Sequence, residues 1–320
     1  MISNGVSLRV SVTEACHLHC LYCRPEEGNG TAPGTKALEL DELSTFLHLL
    51  HALVGITKLH FTGGEPLLRR DLSDLVAAGA ALGIDDLALT TNGQFLADRA
   101  PGLQQAGLHR VNVSLDSLRS DTFAAITRGG ELGASLKGIQ AALACGLRPV
   151  KLNVVVLRGL NDDEVVAMLD YALESGCRIR FLELMPIGAA AADFERRFVS
   201  CPEVFARLAD RFRLEPLPYA GGATSRDYLA TARPGRTTGG GFISPSSRPF
   251  CEGSARLRLT ADGRLLGCLA KKAHLEIRPA LDAARAGDVH PLAALVREAL
   301  AMKHWSHDLT EQRDMVRIGG

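Results

Sequence analysis

Short β-branched segments alternate with amphipathic segments over the first half of the chain. Six apolar runs are typical of buried strands, at residues 7–13, 58–63, 86–93, 110–115, 150–157 and 178–185. Between them, apolar residues recur at helical spacing over 38–55, 69–83, 94–107, 133–146 and 161–176. This alternation favours a parallel sheet with helices outside it, either an open doubly wound sheet or a barrel.

The pattern changes after residue 186. Residues 187–255 are rich in glycine, alanine and turn-forming residues. Alternating apolar positions around the Asp262–Gly263 turn then predict a β-hairpin over 256–270. We therefore predict a barrel-like α/β scaffold over 1–186 and a smaller C-terminal α+β layer over 187–320, packed on that scaffold.

The charges of the chain are balanced, with 36 Lys and Arg against 36 Asp and Glu among 320 residues. This balance does not indicate nucleic acid or a membrane as partner, so an anion site requires a local cluster of basic residues. The sequence has no apolar run of about eighteen residues, and its first ten residues lack the pattern of a secretion signal. We therefore expect a cytoplasmic protein, whose eight cysteines are buried thiols or metal ligands rather than disulfides.

Three cysteines follow the first predicted strand in the segment CHLHCLYC. They are Cys16, Cys20 and Cys23. In a parallel α/β fold, the loops after the carboxyl ends of the strands form the active face. Three thiolates at this spacing can bind three irons of a 4Fe–4S cluster and leave the fourth iron open to another ligand. The alternatives are a zinc site that lacks one ligand and three unrelated thiols.

Small polar residues and glycines occur at the ends of the next predicted strands. The segment TGGEP contains Gly63, Gly64 and Glu65, where glycines allow close approach to a ligand and a carboxylate can accept from an ammonium group. Further candidates are Thr91, Asn92, Asn112, Ser114 and Asp116. For these, ligand contacts and ordinary turn or capping interactions remain alternatives.

With these motifs, the sequence resembles the radical S-adenosylmethionine (SAM) superfamily and, within it, the GTP 3′,8-cyclases of molybdenum-cofactor synthesis. Segments that carry the resemblance include LRVSVTEACHLHCLYCRPEEG, FTGGEPLLRRDL, LNVVVLRGLNDDEV, RFLELMPIG, GFISPSSRPFC, RLRLTADGRLLGCL and the final RIGG. The resemblance implies an incomplete (β/α)6 TIM-like barrel in which the three cysteines hold a SAM-binding 4Fe–4S cluster. It also implies that TGGEP receives the amino group of SAM through its backbone and Glu65. The residues expected to bind SAM are Tyr22, Gly63, Gly64, Glu65, Thr91, Asn92 and Ser114.

The same resemblance implies a second cluster in the C-terminal part, held by three cysteines. At the matching positions this chain has Cys251, Ser254 and Cys268, so the middle ligand is a serine. A serine hydroxyl is a poor iron ligand beside a thiolate, because it resists deprotonation. Three alternatives remain open: a cluster with Ser254 or a substrate atom as third ligand, a smaller or labile cluster, and no second cluster. An engineered Cys→Ser exchange is also open.

The family binds the triphosphate and ribose of GTP with basic side chains that line the barrel. The matching residues here are Arg9, Lys58, Lys151, Arg180, Arg256 and Arg258. Where an arginine is expected in the second strand this chain has His60, which lowers the positive charge near neutral pH. The family's terminal Gly-Gly reaches into the active site, and Gly319 and Gly320 are the matching residues. A frayed terminus is the alternative for that tail.

The leading hypothesis is therefore radical SAM chemistry on GTP, in which a 5′-deoxyadenosyl radical abstracts the hydrogen at the ribose 3′ carbon. A paralogue that acts on another nucleotide or a natural-product precursor is the closest alternative, favoured by Ser254 and His60. A non-catalytic iron–sulfur protein that binds nucleotide and a zinc-binding structural module are further alternatives. The expected partners are a nucleotide and an electron donor, with no nucleic acid or membrane, and a homodimer is left open.

Overall fold

The six predicted strands are parallel neighbours in one sheet. The structure, a computed structural model, describes residues 5–24, 36–219, 223–232, 235–248, 255–269 and 273–302. The six strands are β1 (Val6–Ser11), β2 (Ile56–Thr62), β3 (Asp86–Thr91), β4 (Arg110–Ser114), β5 (Val150–Val155) and β6 (Arg178–Leu182). They pair in chain order from β1 to β6, each parallel to the next. The prediction of an α/β fold with a parallel sheet is thus confirmed.

Helices follow most of these strands and cover one face of the sheet. They are α1 (Leu40–Val54), α2 (Leu72–Ala81), α3 (Leu96–Gln105), α4 (Ser120–Thr127), α5 (Leu132–Ala144) and α6 (Val165–Ser175). Five of them lie where helical spacing predicts them. The short α4 was not predicted, because about two turns carry too little periodic signal to stand out.

The apolar core lies between the sheet and these helices. In β1, Leu8 and Val10 belong to that core together with Phe46 of α1, whereas Arg9 alternates to the other face. Full burial of a side chain as large as Phe46 contributes about 1.5–3 kcal/mol relative to leaving it in water. The residues that alternate with the core residues along each strand therefore lie on the opposite face of the sheet. This face is called the inner face below.

Strands of the C-terminal part extend the same sheet at both edges. They are β7 (Arg213–Pro216), β8 (Arg226–Ala232), β9 (Arg236–Ile243), β10 (Arg256–Leu259), β11 (Arg264–Leu266) and β12 (Leu275–Glu276). Strand β9 pairs parallel with β6, and β10 pairs parallel with β1. The order β12-β11-β10-β1-β2-β3-β4-β5-β6-β9-β8-β7 makes an open sheet, consistent with an incomplete barrel.

The remaining helices lie in the C-terminal part, where sequence analysis predicted mainly loops. They are α7 (Phe194–Arg197), α8 (Cys201–Ala209), α9 (Arg278–Arg285) and α10 (His290–Ala301), besides 3₁₀ turns at Pro66–Leu68 and Gly188–Asp193. The predicted hairpin is confirmed as the antiparallel pair β10–β11. The domain boundary at 186 stays a prediction. Among the described residues, no helix is both long and apolar enough to span a lipid bilayer.

Candidate functional site

The loop after β1 carries the three cysteines and is held by backbone hydrogen bonds. Within the loop, the amide of Cys23 donates to the carbonyl of Cys20 at 2.9 Å, which closes a turn. The amide of Leu21 donates to Ile126 at 2.9 Å and so attaches the loop to α4. Cys16, Cys20 and Cys23 are half-buried and line one cavity at the carboxyl ends of the strands.

Burial and neighbouring negative charges oppose ionisation of the thiols in this cavity. Burial raises the pKa of Cys20 well above its usual range, and the charges of Asp116, Cys23 and Cys16 raise it further. Burial also raises the pKa of Cys16. Three neighbouring thiolates therefore need positive charge beside them to stay ionised, and cluster irons supply it.

A cluster and a single metal ion require different arrangements of ligands. Over the described part of the chain, no three His, Cys, Asp or Glu side chains converge as the ligands of one metal ion do. A 4Fe–4S cluster instead takes one thiolate at each of three separate irons. A cluster on Cys16, Cys20 and Cys23 therefore stays a prediction, in which each cysteine supplies one thiolate to one iron.

Tyr22, between two of these cysteines, is fixed by a carboxylate from the loop after β4. Its hydroxyl donates to Asp116 Oδ2 at 2.6 Å, and Asp116 Oδ1 accepts from the amide of Val155 at 2.8 Å. Burial raises the pKa of Asp116 to about 6, while its two hydrogen bonds act in the opposite direction. The ring of Tyr22 therefore has a set position in the cavity wall and joins the cysteine loop to β4 and β5.

The two glycines of TGGEP are required by the protein's own backbone. A Cβ on Gly63 would lie 2.5 Å from the carbonyl oxygen of Thr13, and one on Gly64 would lie still closer to that of Ala15. The amide of Gly64 donates to Thr13 at 2.7 Å, so the segment is tied to the loop after β1. Close approach of this loop therefore requires glycine at both positions, and their predicted approach to a ligand stays a prediction.

Glu65 of TGGEP accepts hydrogen bonds from two neighbouring segments. Its side chain is fully buried, and Oε1 accepts from the amide of Leu67 at 2.9 Å and from the hydroxyl of Thr91 at 2.7 Å. Oε2 accepts from the amide of Asn92 at 2.8 Å. Burial raises the pKa of Glu65 to about 7, against the effect of these donors. Its carboxylate therefore joins TGGEP to the end of β3, and a contact between Glu65 and the amino group of SAM stays a prediction.

Six of the seven residues expected to contact SAM line the cavity that contains the cysteines. They are Tyr22, Gly63, Gly64, Thr91, Asn92 and Ser114. The contacts themselves stay predictions. Asn153 of β5 also lines the cavity, and its buried Oδ1 has no hydrogen-bond partner among the described residues. Sequence analysis missed Asn153, although its place two residues after Lys151 on one strand face would have indicated it.

The basic residues expected to bind substrate meet on the inner face of the sheet. This basic cluster consists of Arg9, Lys58, Lys151, Arg180, Arg256 and Arg258. Register places Arg9 beside Arg258 of β10 on one side and His60 of β2 on the other. Arg256 and Arg258 lie on one face of β10, as their spacing predicts.

Burial and the neighbouring positive charges lower the pKa values of these cationic side chains. Burial lowers the pKa of Arg9 to about 9, and the charge of Arg256 lowers it further. Burial also lowers the pKa of Lys151 to about 7, helped by the charges of Arg180 and Arg110. A surface that gathers so many unfavourable like charges is suited to a multiply charged anion.

His60 lies inside this cluster as an uncharged side chain. Burial lowers the pKa of His60 well below its usual range, and the charges of Arg9, Arg110, Lys58 and Arg256 lower it further. Its Nε2 lies 2.7 Å from Thr90 Oγ1, in hydrogen-bonding contact. His60 therefore contributes a hydrogen-bonding group where the expected arginine would contribute charge.

Arg110 and Asp86 are inner-face residues that sequence analysis missed. Arg110 Nε lies 2.7 Å from Asp86 Oδ1, and Lys58 Nζ lies 3.0 Å from Asp86 Oδ2. Asp86 thus neutralises part of the positive charge before any ligand binds. The β-branched runs predict the strands, but they do not predict which charged side chains of the inner face form ion pairs between neighbouring strands.

The comparisons with known proteins agree with this geometry. Residues 10–172 match the Radical SAM superfamily, and residues 177–309 match Molybdenum Cofactor Synthesis C. A GTP 3′,8-cyclase of Pelotomaculum thermopropionicum is 43% identical over 98% of this chain and 97% of its own length. The chain belongs to the GTP 3′,8-cyclase family of radical SAM proteins.

Other relatives are similar over most of their length. The GTP 3′,8-cyclase of Moorella thermoacetica is 42% identical, covering 98% of this chain and 97% of its own length. Among solved structures, Streptococcus suis SuiB bound to precursor peptide SuiA has a TM-score of 0.60 at 14% identity. That alignment covers 98% of this chain and 76% of SuiB and supports the fold alone.

Two elements that the family leads us to expect lie largely outside the described residues. Cys251 and Ser254 of the second cluster site and the terminal residues Gly319 and Gly320 are not described. Cys268 is described as a half-buried free thiol just after β11. Its charge acts on the pKa of Arg258, so the two side chains are close enough to interact. A second cluster at Cys251 and Cys268 therefore stays a prediction.

Anion binding to the basic cluster is expected to weaken as the pH rises through about 7, where Lys151 loses its charge. Because its pKa is lowered, Lys151 attracts an anion fully below that pH and ceases to do so above it. Sulfate is a suitable probe, since its own charge is constant over this range. We expect its affinity, measured by calorimetry, to fall about 5- to 10-fold between about pH 6 and about pH 8.

Lys151→Arg keeps the cation at both pH values and is expected to flatten this dependence. Lys137→Arg, on the exposed side of α5, is the matched control and should retain it. An equally steep pH dependence in Lys151→Arg would show that another group is responsible.

Proposed function

We propose that this protein is a radical SAM enzyme that acts on GTP, with GTP 3′,8-cyclase-type chemistry of molybdenum-cofactor biosynthesis. The observation that carries the proposal is the placement of two sites on one sheet. The cysteine cavity lies at the carboxyl ends of the strands, and the basic cluster lies on the inner face. Relatives named GTP 3′,8-cyclase, 43% and 42% identical over nearly the whole chain, support this choice of substrate.

Cys16, Cys20 and Cys23 would hold the 4Fe–4S cluster, whose open iron binds SAM in this family. When bound, cluster and SAM together supply the 5′-deoxyadenosyl radical that takes a hydrogen atom from the substrate. The protein fixes the surroundings of that reaction. Tyr22, held by Asp116, sets one wall of the cavity, and the buried Glu65 holds TGGEP against β3.

The basic cluster would bind the triphosphate of GTP. Arginine binds phosphate through two parallel N–H groups, and lysine acts as a compact charge. Binding through these residues should weaken with added salt, because the contacts are partly exposed and are screened. With the triphosphate held there, the sugar and base would lie towards the remaining polar groups of the inner face.

The proposal includes further features with less direct support. The enzyme needs a one-electron donor, and we propose that it acts in the cytoplasm. We propose no nucleic-acid or membrane partner, since the charges of the whole chain balance. A homodimer is compatible with this function and is tested by the mass of the protein in solution.

A paralogue with another nucleotide or a natural-product precursor as substrate is a second candidate, favoured by two specific residues. His60 is uncharged in the middle of the basic cluster, and Ser254 replaces a cluster cysteine. Either change would alter recognition of the substrate while the first step with SAM stays the same.

The test is anaerobic incubation of the reconstituted, reduced protein with SAM and with GTP, another nucleoside triphosphate or no nucleotide. GTP-dependent formation of 5′-deoxyadenosine and a modified guanine nucleotide would support the cyclase. Product from another nucleotide alone would support the paralogue. Binding of GTP without SAM cleavage would indicate a non-catalytic iron–sulfur protein.

A further inference from the structure

A glycine in β9 lets a carboxylate from β8 reach the inner face. Gly241 pairs with Arg180 of β6 on one side and with Asp227 of β8 on the other. A Cβ on Gly241 would lie 2.5 Å from Asp227 Oδ1 and nearer still to Ser225 Oγ. These two oxygens are therefore neighbours, and they fill the space that a side chain at position 241 would otherwise take.

Asp227 lies at the edge of the basic cluster. Its Oδ2 is 3.9 Å from Arg180 Nη2, a loose ion pair. Its charge also acts on the protonation of Lys151. Two proposed triphosphate-binding cations thus have this carboxylate beside them, although a carboxylate repels phosphate.

The other carboxylate oxygen, Oδ1, lies beside the hydroxyl of Ser225. Asp227 Oδ1 and Ser225 Oγ are both buried and have no hydrogen-bond partner among the described residues. Ser225 is only 7% exposed as a whole residue. An unsatisfied buried acceptor is costly in the ligand-free protein, and a donor from a ligand removes that cost. The arrangement therefore calls for an N–H or O–H group beside the phosphates.

We propose that Asp227 and Ser225 form an acceptor pair that receives a hydrogen bond from the nucleoside part of the substrate, either a guanine N–H or a ribose hydroxyl. The proposal rests on the proposed function, since it takes a nucleoside triphosphate as the ligand of the basic cluster. It divides the inner face into cations for the phosphates and acceptors for the nucleoside. Asp227 and Ser225 are thereby residues that determine specificity.

The test compares GTP with inorganic triphosphate, which has the phosphates but no nucleoside. Asp227→Asn and Asp227→Ala remove the charged acceptor, and calorimetry gives both dissociation constants for each protein. We expect the preference for GTP over inorganic triphosphate to fall about 10- to 100-fold, the range for loss of a hydrogen bond to a charged group. Asp163→Asn, at an exposed ion pair with Arg119, is the control and should keep the preference.

A substitution in β9 tests the same two acceptor oxygens. Gly241→Ala places a Cβ where the two oxygens lie, so it should displace them and lower the preference in the same direction. Inosine triphosphate lacks the guanine amino group, and 2′-deoxyguanosine triphosphate lacks one ribose hydroxyl. One of these analogues lacks the group that donates to the acceptor pair. For that analogue, the preference over inorganic triphosphate should be the same in Asp227→Asn as in the wild type.

The outcomes separate this inference from the proposed function. If Asp227 is only a counter-ion of Arg180, Asp227→Asn binds GTP and inorganic triphosphate more tightly by the same factor, and the acceptor pair is overturned. If the wild type binds inorganic triphosphate but not GTP, the proposed function fails and the acceptor pair fails with it.

Discussion

Replacement of Cys16, Cys20 or Cys23 by alanine is expected to abolish formation of 5′-deoxyadenosine. Each cysteine supplies one thiolate to the cavity, and a cluster that lacks one of three protein ligands is not held in place to bind SAM. Iron content after anaerobic reconstitution, the electron paramagnetic resonance signal of the reduced cluster and the yield of 5′-deoxyadenosine measure the loss.

Cys145→Ala is the matched control, because Cys145 is a free thiol at the end of α5 and does not line the cavity. It should retain iron and activity. Full activity in all three alanine variants would contradict the assignment of the cluster to this loop.

Ser254→Cys is expected to produce the largest gain of function. In the family, the second cluster has three cysteine ligands, whereas this chain has Cys251, Ser254 and Cys268. A thiolate is a far better iron ligand than a serine hydroxyl at neutral pH. We expect reconstituted iron to rise from about four to about eight per chain and conversion of GTP to rise from slow or absent.

Ser120→Cys, which adds a thiol at an exposed position of α4, controls for non-specific iron binding and should change neither quantity. If the serine protein already binds eight irons and converts GTP as well as the cysteine variant does, the serine is irrelevant to the second cluster. If the cysteine variant gains iron but does not convert GTP, the paralogue is favoured, and His60 becomes the residue to examine.

Hydrophobic patterning was sufficient to predict the scaffold. The runs at 110–115 and 150–157 are β4 and β5, with bounds within about two residues of the predicted ones. Such strands are buried on one face along their whole length, so the pattern is strong. The C-terminal strands β8 and β9 contain many polar residues, and β9 also has three consecutive glycines. The pairing of β9 with β6, and of β8 with β9, depends on contacts outside the local apolar pattern. Their place at the edge of the sheet could therefore not be predicted locally.

Part of the candidate site could also be predicted from residues that are close together in the sequence. Three cysteines in one loop lie close together in any fold, so their shared cavity follows from the sequence. The hydrogen bonds of Glu65 could not be predicted in this way, because its three donors are Leu67, Thr91 and Asn92, which lie on two segments. Nothing in the sequence singles out Asp227, because its position beside the basic cluster depends on the pairing of β8 with β9 at Gly241.

Hydrogen transfer from a labelled substrate tests the central claim most directly. Reconstituted protein would be reduced and incubated with SAM and GTP that carries deuterium at the ribose 3′ carbon, and the 5′-deoxyadenosine would be analysed by mass spectrometry. The Ser254→Cys variant is assayed beside the native chain, so that a poor second cluster does not conceal the first step. GTP 3′,8-cyclase-type chemistry predicts one deuterium in the 5′-deoxyadenosine. Unlabelled 5′-deoxyadenosine from both proteins, formed at the same rate with and without GTP, would contradict it.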